Sequence, residues 1–265
     1  VGLPRFATTP LVILTATFED NGSDGFLQRG AWRSNLTQPV RTPFRGVANS
    51  KDWGPNQGSW RLGQGDHLQE YAALTASPYE RLDPRRTALL VIDMQRYFVR
   101  AEHPFGQWVQ QVDPAGSSAY FERVKNIVIP CIRRLQERFR SLAAQIAYTE
   151  FGSLRQDGRD MPGWARCHNA LGHQAFGSAV YPPFDHPSCR VDESVAPQTG
   201  EIVVQKSASG PVNSTKLDQT LRVLGVDTVV VTGVVTDVCV AQTTREFGDR
   251  DFNAIVVADA CATLA

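Results

Sequence analysis

The chain has 265 residues and no net charge, because 27 Lys and Arg residues balance 27 Asp and Glu residues. This balance excludes the strongly basic proteins that bind nucleic acids or anionic membranes. The longest apolar runs are far shorter than the roughly 20 residues that a transmembrane helix needs. No cationic segment followed by an apolar one opens the chain, so we expect no signal peptide. Five cysteines without a Cys-x-x-Cys pair favour a reducing compartment, which predicts a cytoplasmic protein.

Residues 1–81 differ in pattern from the rest of the chain. A strand-like segment, LVILTATFE at 11–19, precedes a long stretch rich in Gly, Asn, Pro and Trp that has neither a helical nor a strand period. Irregular segments of this length are unusual inside a compact domain unless they form arms or lids. We therefore predict an N-terminal extension over 1–81 that packs on the main domain or on another subunit.

From residue 82 onward, short apolar runs alternate with helical patterns. Buried strands are predicted at 87–93, 143–150, 201–206, 227–233 and 253–259. Helices are predicted at 121–139 with a kink or break at Pro130, at 214–225, and from Cys239 onward. The segment between Glu150 and Gly200 has no regular period. The alternation predicts a three-layer α/β/α domain over 82–265 with a mainly parallel, Rossmann-like sheet of about six strands.

Three chemically useful side chains lie where the predicted strands end. Asp93 ends the first strand, Lys206 ends the third, and Cys239 begins the helix after the fourth. Taken singly, each has an ordinary structural role, as a helix cap, a solvated cation or a small buried side chain. In parallel α/β sheets, however, ligands bind outside the carboxyl ends of the strands. The three residues together therefore predict an active site with a base, a cation and a nucleophile.

A cysteine nucleophile fits this placement chemically. The thiolate is the reactive form, and both a helix N-terminus and a neighbouring lysine lower the pKa of a thiol. We therefore expect the pKa of Cys239 to be lowered. Asp93 would accept the thiol proton and later return it to a leaving amine.

Three stretches of the chain resemble a known family. They are LLVIDMQ at 89–95, VVQKSASG with NSTKLDQTLRVLGVDTVVVTGVVTDVCV within 203–240, and VVADACAT at 256–263. In this order and spacing they resemble the isochorismatase-like cysteine hydrolases, which include nicotinamidases, N-carbamoylsarcosine amidase, ureidoacrylate amidohydrolases and biuret hydrolases. The resemblance extends from about residue 82 to residue 265 and implies a hydrolase of C–N bonds in linear amides.

The resemblance implies a role for each matching residue. Asp93, Lys206 and Cys239 take the catalytic positions, and the peptide bond between Val234 and Val235 is expected to be cis. The N–H groups of Val235 and Cys239 are expected to form an oxyanion hole. The implied reaction is attack of Cys239 on an amide or ureido carbonyl, loss of ammonia or an amine, and hydrolysis of a thioester. Most such proteins are homo-oligomers, which implies a homodimer or homotetramer.

The sequence departs from the metal-binding branch of this family. Nicotinamidases bind a metal through an Asp-x-His that follows the second strand, and here Glu150 and Gly152 occupy those positions. His168 and His173 lie downstream, without partners at metal-ligand spacing. We therefore predict no metal and no other cofactor, with a small linear amide or ureide as the substrate and no nucleic-acid or membrane partner.

Substrate choice is expected to depend on the segment between Glu150 and Gly200. The candidate pocket residues are Phe98, Trp164, Arg166 and His168. An arginine would suit a substrate that carries a carboxylate. A surface segment that never touches the substrate is the alternative.

The resemblance also leaves the ends of the domain and the activity open. Family members usually continue past DACAT with a helix and a strand, so we expect these elements to be missing or replaced, with 11–19 as a candidate replacement. A nicotinamidase-like hydrolase of an aromatic amide and an idle homologue that binds a ligand or a partner protein are the alternatives to a linear-amide hydrolase. The intact Asp93, Lys206 and Cys239 favour an enzyme.

Overall fold

The computed structural model describes residues 12–14 and 82–264 of the chain. Within these residues, six parallel strands form one sheet in the order β1-β6-β5-β2-β3-β4. The strands are β1 (Val12–Leu14), β2 (Thr87–Ile92), β3 (Gln145–Phe151), β4 (Ile202–Lys206), β5 (Thr228–Val234) and β6 (Asn253–Ala262). Apart from β1, which pairs with β6, the predicted N-terminal extension lies outside the described residues.

Helices connect the strands and cover both faces of the sheet. The α-helices are α1 (Arg96–Val99), α2 (Pro104–Val112), α3 (Pro114–Arg123), α4 (Ile129–Ser141), α5 (Gly163–Phe176), α6 (Leu217–Val223) and α7 (Ala241–Gly248). Two π-helical turns, Val124–Val128 and Thr236–Val240, lead into α4 and α7. In the described part of the chain, no helix combines the length and apolarity needed to cross a membrane.

The core explains why the central strands read as continuous apolar runs. On one face of the sheet, Leu90 and Ile92 pack in a cluster with Leu221 of α6 and Phe247 of α7. On the other face, α4 packs against β2, β3 and β6, and Ile132 is fully buried. Both faces of β2 are therefore inside the protein, as expected for a parallel sheet between two helical layers. The predicted three-layer fold with a sheet of about six strands is confirmed.

One segment that the sequence predicts to be irregular contains a helix. Helix α5, Gly163–Phe176, lies between Glu150 and Gly200. Glycine, asparagine and histidine lower its intrinsic helix propensity and hide its period. Packing stabilises it instead, because Ala165, Asn169 and Gly172 are buried. The predicted kink or break at Pro130 agrees better with the structure. The π-helical turn ends at Val128, and Pro130 lies in the first turn of α4.

Gly233 sets how closely β5 approaches β2. Its φ of +110° belongs to a region that side chains rarely adopt. A Cβ atom at this position would lie 2.0 Å from the carbonyl oxygen of Ile92 on β2. The pairing of β5 with β6 also shifts register between Val231 and Gly233. The path of the backbone at the carboxyl end of β5 therefore requires a glycine at position 233.

We expect Gly233→Ala to destabilise the protein by about 3 kcal/mol, because the added methyl group meets backbone atoms that cannot move aside. Gly248→Ala is the matched control, since a Cβ at this end of α7 has no atom within 4 Å. Its effect should be neutral or slightly stabilising. Urea unfolding followed by tryptophan fluorescence measures both variants, and equal stabilities would contradict the role of Gly233.

Candidate active site

The backbone turns at Asp93, directly after β2. Asp93 has a φ of +50°, which aspartate tolerates better than most residues. Its N–H donates to the carbonyl and hydroxyl oxygens of Thr149 on β3, at 3.2 and 3.1 Å. The Thr149 hydroxyl in turn donates to Asp93 Oδ1. These bonds fix the carboxylate at the carboxyl edge of the sheet.

Lys206, the last residue of β4, is fully buried beside Asp93. Its Nζ atom lies 2.8 Å from Asp93 Oδ2, and neither side chain is exposed. Nζ also donates to the carbonyl oxygens of Ala208 and Ser209, at 3.1 and 2.9 Å. The Phe151 ring centroid lies 4.8 Å from Nζ and provides a further favourable contact for the cation. The ammonium group is therefore surrounded by acceptors and one aromatic ring.

Cys239 completes the group from the turn after β5. It lies in the π-helical turn Thr236–Val240, and its Sγ atom is 3.4 Å from Lys206 Nζ. Cys239 is 3% exposed. The hydroxyl of Thr243, one turn further on, donates to the Cys239 carbonyl oxygen at 2.6 Å. The structure thus brings together Asp93, Lys206 and Cys239, which lie far apart in the sequence.

The protonation of Cys239 differs from the sequence-based expectation. Burial raises the pKa of the Cys239 thiol, and the Asp93 carboxylate raises it further, against the opposing effect of Lys206. The prediction of a lowered pKa is therefore wrong for this structure. Its physical reason is that loss of solvation outweighs the attraction of one lysine whose charge is already neutralised by Asp93.

Lys206 keeps its charge in this setting. Burial alone lowers the pKa of the Lys206 ammonium group, but the attraction of Asp93 and Cys239 outweighs burial, so that its pKa is raised. The resting site therefore holds a protonated lysine and a neutral thiol.

The second carboxylate oxygen of Asp93 has an unusual environment. Among the described residues, Asp93 Oδ2 is the one buried side-chain oxygen or nitrogen atom that accepts or donates no hydrogen bond of normal geometry. Its contact with Lys206 is an ion pair without hydrogen-bond angles. Oδ1, by contrast, is satisfied by Thr149. A buried acceptor of this kind is ready to receive a proton or a hydrogen bond.

The backbone before Cys239 has the form that the resemblance implies. The peptide bond between Val234 and Val235 is cis. The carbonyl oxygen of Val235 accepts from the N–H groups of Val238 and Val240, at 3.1 and 3.2 Å. This carbonyl is thus used by the helical turn that carries the thiol. The oxyanion-hole role of the Val235 and Cys239 N–H groups stays a prediction.

Aromatic side chains lie beside the three residues. Phe151 stacks on Trp164 of α5 with ring centroids 5.7 Å apart, and the Phe151 ring also contacts Lys206. Trp164 packs edge-on against Tyr181 at 5.6 Å. Phe98 is buried in the same cluster, 6.1 Å from Tyr181. Trp164 and Phe98 are therefore connected to Lys206 through Phe151 and Tyr181.

The two other predicted pocket residues have structural partners. His168 Nδ1 lies 3.0 Å from the Tyr181 hydroxyl, and burial lowers the pKa of the His168 ring. Arg166 is exposed and donates to the Met161 carbonyl oxygen at 2.8 Å. The Arg166 side chain therefore bonds the backbone just before its own helix, α5.

Several residues of the site have no sequence signal beyond their type. Gln95, two residues after Asp93, donates to the Phe151 carbonyl at 2.9 Å and accepts from the Phe151 N–H at 2.7 Å. It thereby fixes the end of β3 below the Phe151 ring. Thr149 and Tyr181 were missed for the same reason, because their contacts cross from one element to another.

Glu150, at the position of a metal ligand in nicotinamidases, is bound by protein groups. Its oxygens accept from Arg190 at 3.1 Å, from Gln205 at 3.1 Å and from the Val191 N–H at 3.3 Å. Within residues 82–264, no three His, Cys, Asp or Glu side chains are grouped so as to hold a metal ion. The Glu150 carboxylate therefore joins β3 to β4 and to the segment at 190–191.

Comparison with known proteins gives the family. The isochorismatase domain model matches residues 87–265. The chain belongs to the isochorismatase family. Among its relatives, the ureidoacrylate amidohydrolase RutB of Stutzerimonas stutzeri is 30% identical over 183 residues, which is 66% of this chain and 68% of that protein. RutB of Methylobacterium radiotolerans is 43% identical over 68 residues, only 26% of each protein.

Solved structures of isochorismatase-family proteins share the fold. A cysteine hydrolase from Pseudomonas syringae pv. phaseolicola superposes with a TM-score of 0.55 at 26% identity. The match covers 69% of this chain and 75% of that protein's chain. An isochorismatase family protein from Desulfovibrio vulgaris has a TM-score of 0.54 at 23% identity, with coverage of 68% and 84%. The second likeness concerns the fold alone.

We expect Lys206→Met to destabilise the protein by about 3–5 kcal/mol, because Asp93 would be left as a buried charge without its cation. Adding Asp93→Asn should recover much of this loss, since both charges are then gone. Urea unfolding of the two single variants and the double variant gives the coupling free energy. Losses that simply add would show that the two charges do not depend on each other.

Proposed function

We propose that this isochorismatase-family protein is a cysteine amidohydrolase that cleaves a C–N bond of a small linear amide or ureido compound. The observation that carries the proposal is the contact of Lys206 with both Asp93 and Cys239 in one buried site, at 2.8 and 3.4 Å. A ligand-binding protein would need no buried cation in contact with both a base and a nucleophile. The names of the relatives, two ureidoacrylate amidohydrolases and a cysteine hydrolase, support the same class.

The first half-reaction begins with the neutral thiol. Asp93 Oδ2 takes the proton of Cys239 while the sulfur attacks the carbonyl carbon of the amide. Lys206 stabilises the negative sulfur that forms. The tetrahedral oxyanion is stabilised by the N–H groups of Val235 and Cys239. It collapses to a thioester as the C–N bond breaks, and Asp93 returns the proton to the departing ammonia or amine.

The second half-reaction restores the thiol. Asp93 takes a proton from a water molecule, whose oxygen attacks the thioester carbon. The C–S bond breaks, the proton passes to the Cys239 sulfur, and the carboxylic acid leaves. Each turnover therefore consumes one amide and one water, and it ends with the same neutral thiol and carboxylate.

The raised pKa of the thiol fits a proton transfer within the site. A permanent thiolate would need a net positive surrounding, whereas Lys206 and Asp93 together are neutral. When the proton moves to Asp93, the lysine is left beside a thiolate with no competing anion. The positive charge of Lys206 therefore stabilises the thiolate during the attack, which is the step that requires it.

The proposed reaction requires no metal. The Glu150 oxygens are engaged by Arg190, Gln205 and Val191, and Gly152 brings no ligand to the same segment. An ion at this position would have to displace those bonds.

The shape of the site favours a small substrate. Asp93 and Lys206 are fully buried and Cys239 nearly so, which leaves little room around the sulfur for a large group. The Phe151–Trp164 stack gives the neighbouring wall a flat aromatic face. This wall is the one observation that favours the second candidate, a nicotinamidase-like hydrolase of an aromatic amide.

We expect the purified protein to release ammonia from a linear ureide or amide in a panel of biuret, ureidoacrylate, N-carbamoyl amino acids, maleamate and nicotinamide. Cys239→Ala should lower the rate by at least about 10³-fold, because the nucleophile is lost. A chelator should leave the rate unchanged. Cys131→Ala is the matched control, since it removes another buried thiol and should keep the rate.

Two results would contradict the proposal. Release from nicotinamide alone, abolished by the chelator, would replace it with a metal-dependent nicotinamidase. No release from any compound would favour an idle homologue.

A further inference from the structure

The loop after β4 is bound at both ends by buried charged groups. At its beginning, the carbonyl oxygens of Ala208 and Ser209 accept from Lys206 Nζ. At its end, the N–H groups of Val212 and Asn213 donate to a carboxylate on α7, that of Glu246, at 2.9 and 3.4 Å. The loop therefore connects Glu246 to the ammonium group of the proposed active site.

Glu246 is a buried carboxylate that the reaction does not use. It is 4% exposed, and its Oε1 atom accepts from Asn213 Nδ2 at 2.6 Å and from Gln242 Nε2 at 3.2 Å. With the two backbone N–H groups, all four described donors are uncharged amides. Burying a carboxylate on amide donors alone is unfavourable unless the geometry is well defined. A neutral side chain would fill this position at a smaller cost in desolvation free energy.

The loop is also packed tightly against this carboxylate. A Cβ on Gly210 would lie 2.1 Å from Glu246 Oε1, so the backbone passes within contact distance of the carboxylate. Arg250 bonds the same loop once, since it donates to Asn213 Oδ1 at 2.9 Å, and another of its bonds goes to the Glu246 main-chain carbonyl at 3.2 Å. The Glu246 carboxylate links residues 210–213 to α7 through Gly210, Val212 and Asn213.

The geometry of the ammonium group makes this position important for the thiol. A lysine ammonium has three N–H groups. Two of those of Lys206 are used by the carbonyl oxygens of Ala208 and Ser209, and the third donates to the Cys239 sulfur, while Asp93 is held by the ion pair. If the loop shifts, the two carbonyls shift and the third N–H turns away. Within the described residues, Lys206 and Asp93 are the charged groups that act on the sulfur.

We infer that Glu246 is a positioning residue, which holds the loop so that the third N–H of Lys206 is directed at the Cys239 sulfur. Cys239 and Glu246 belong to one continuous helical segment, formed by Thr236–Val240 and α7. One helix thus carries the nucleophile and also fixes the loop that orients its cation. The inference rests on the proposed function, in which Lys206 stabilises the thiolate.

Alkylation of Cys239 tests the inference without knowledge of the substrate. The rate of reaction with iodoacetamide is measured as a function of pH and assigned to Cys239 by peptide mass. Because alkylation follows the thiolate fraction, Glu246→Ala should slow it about tenfold at a given pH and move the profile up by about one pH unit. Glu246→Gln retains one acceptor oxygen and should fall between Glu246→Ala and the parent protein.

Glu201→Ala is the matched control. This carboxylate also has partners in the protein, Arg140 at 2.7 Å and the hydroxyl of the buried Tyr148 at 2.8 Å, but it precedes β4 and lies at the other end of that strand from Lys206. The variant should lose stability and keep the alkylation profile of the parent. Circular dichroism establishes that each variant is folded, and should Glu246→Ala fail to fold, Glu246→Gln carries the test.

The outcomes separate the inference from the proposed function. An unchanged or faster alkylation in the folded Glu246 variants would overturn the inference while the parent protein remains an amidohydrolase. A shift of equal size in Glu201→Ala would also overturn it, because lost stability would then explain both. A parent protein that releases no ammonia from any compound of the panel would count against the proposed function, and the inference would fall with it.

Discussion

The ion pair between Asp93 and Lys206 is the interaction on which the site depends. Two opposite charges 2.8 Å apart have no exposed surface, so both have lost their hydration. Such a pair is stable only when further groups satisfy the remaining lone pairs and protons. Here Thr149 binds the carboxylate, and the carbonyl oxygens of Ala208 and Ser209 bind the ammonium group. The parallel sheet makes this possible because β2, β3 and β4 end at the same edge.

The same ion pair controls the chemistry of the thiol. Lys206 lowers the pKa of the Cys239 thiol, but burial and the Asp93 carboxylate together outweigh it and keep Cys239 protonated. In the proposed mechanism, the nucleophile is produced only when Asp93 accepts the thiol proton. A thiol that is neutral at rest is also protected from oxidation, since oxidation of cysteine follows its thiolate character.

The sequence predicts the elements of the fold that depend on local pattern. Runs such as TALLVI are buried on both faces and therefore read as strands, and Asp93, Lys206 and Cys239 follow from the rule that ligands bind at strand ends. The direction of the Cys239 pKa could not be predicted, because it depends on burial and on a partner 146 positions away. Helix α5 was missed because packing, and not propensity, stabilises it. Gln95 and Glu246 escape notice for a related reason, since a buried amide or carboxylate has no sequence pattern of its own.

Glu150 has a consequence for how such proteins can diversify. Its carboxylate binds three partners from β4 and from the segment at 190–191, and removing it would leave the buried Val191 N–H without this acceptor, whereas the exposed Gln205 and Arg190 side chains can bind water. A metal-binding ancestor or descendant would therefore differ by a coordinated set of substitutions, because new ligands alone would compete with bonds that stabilise the sheet. Replacing Glu150 alone would therefore disturb the segment at 190–191 before any metal ligand is gained.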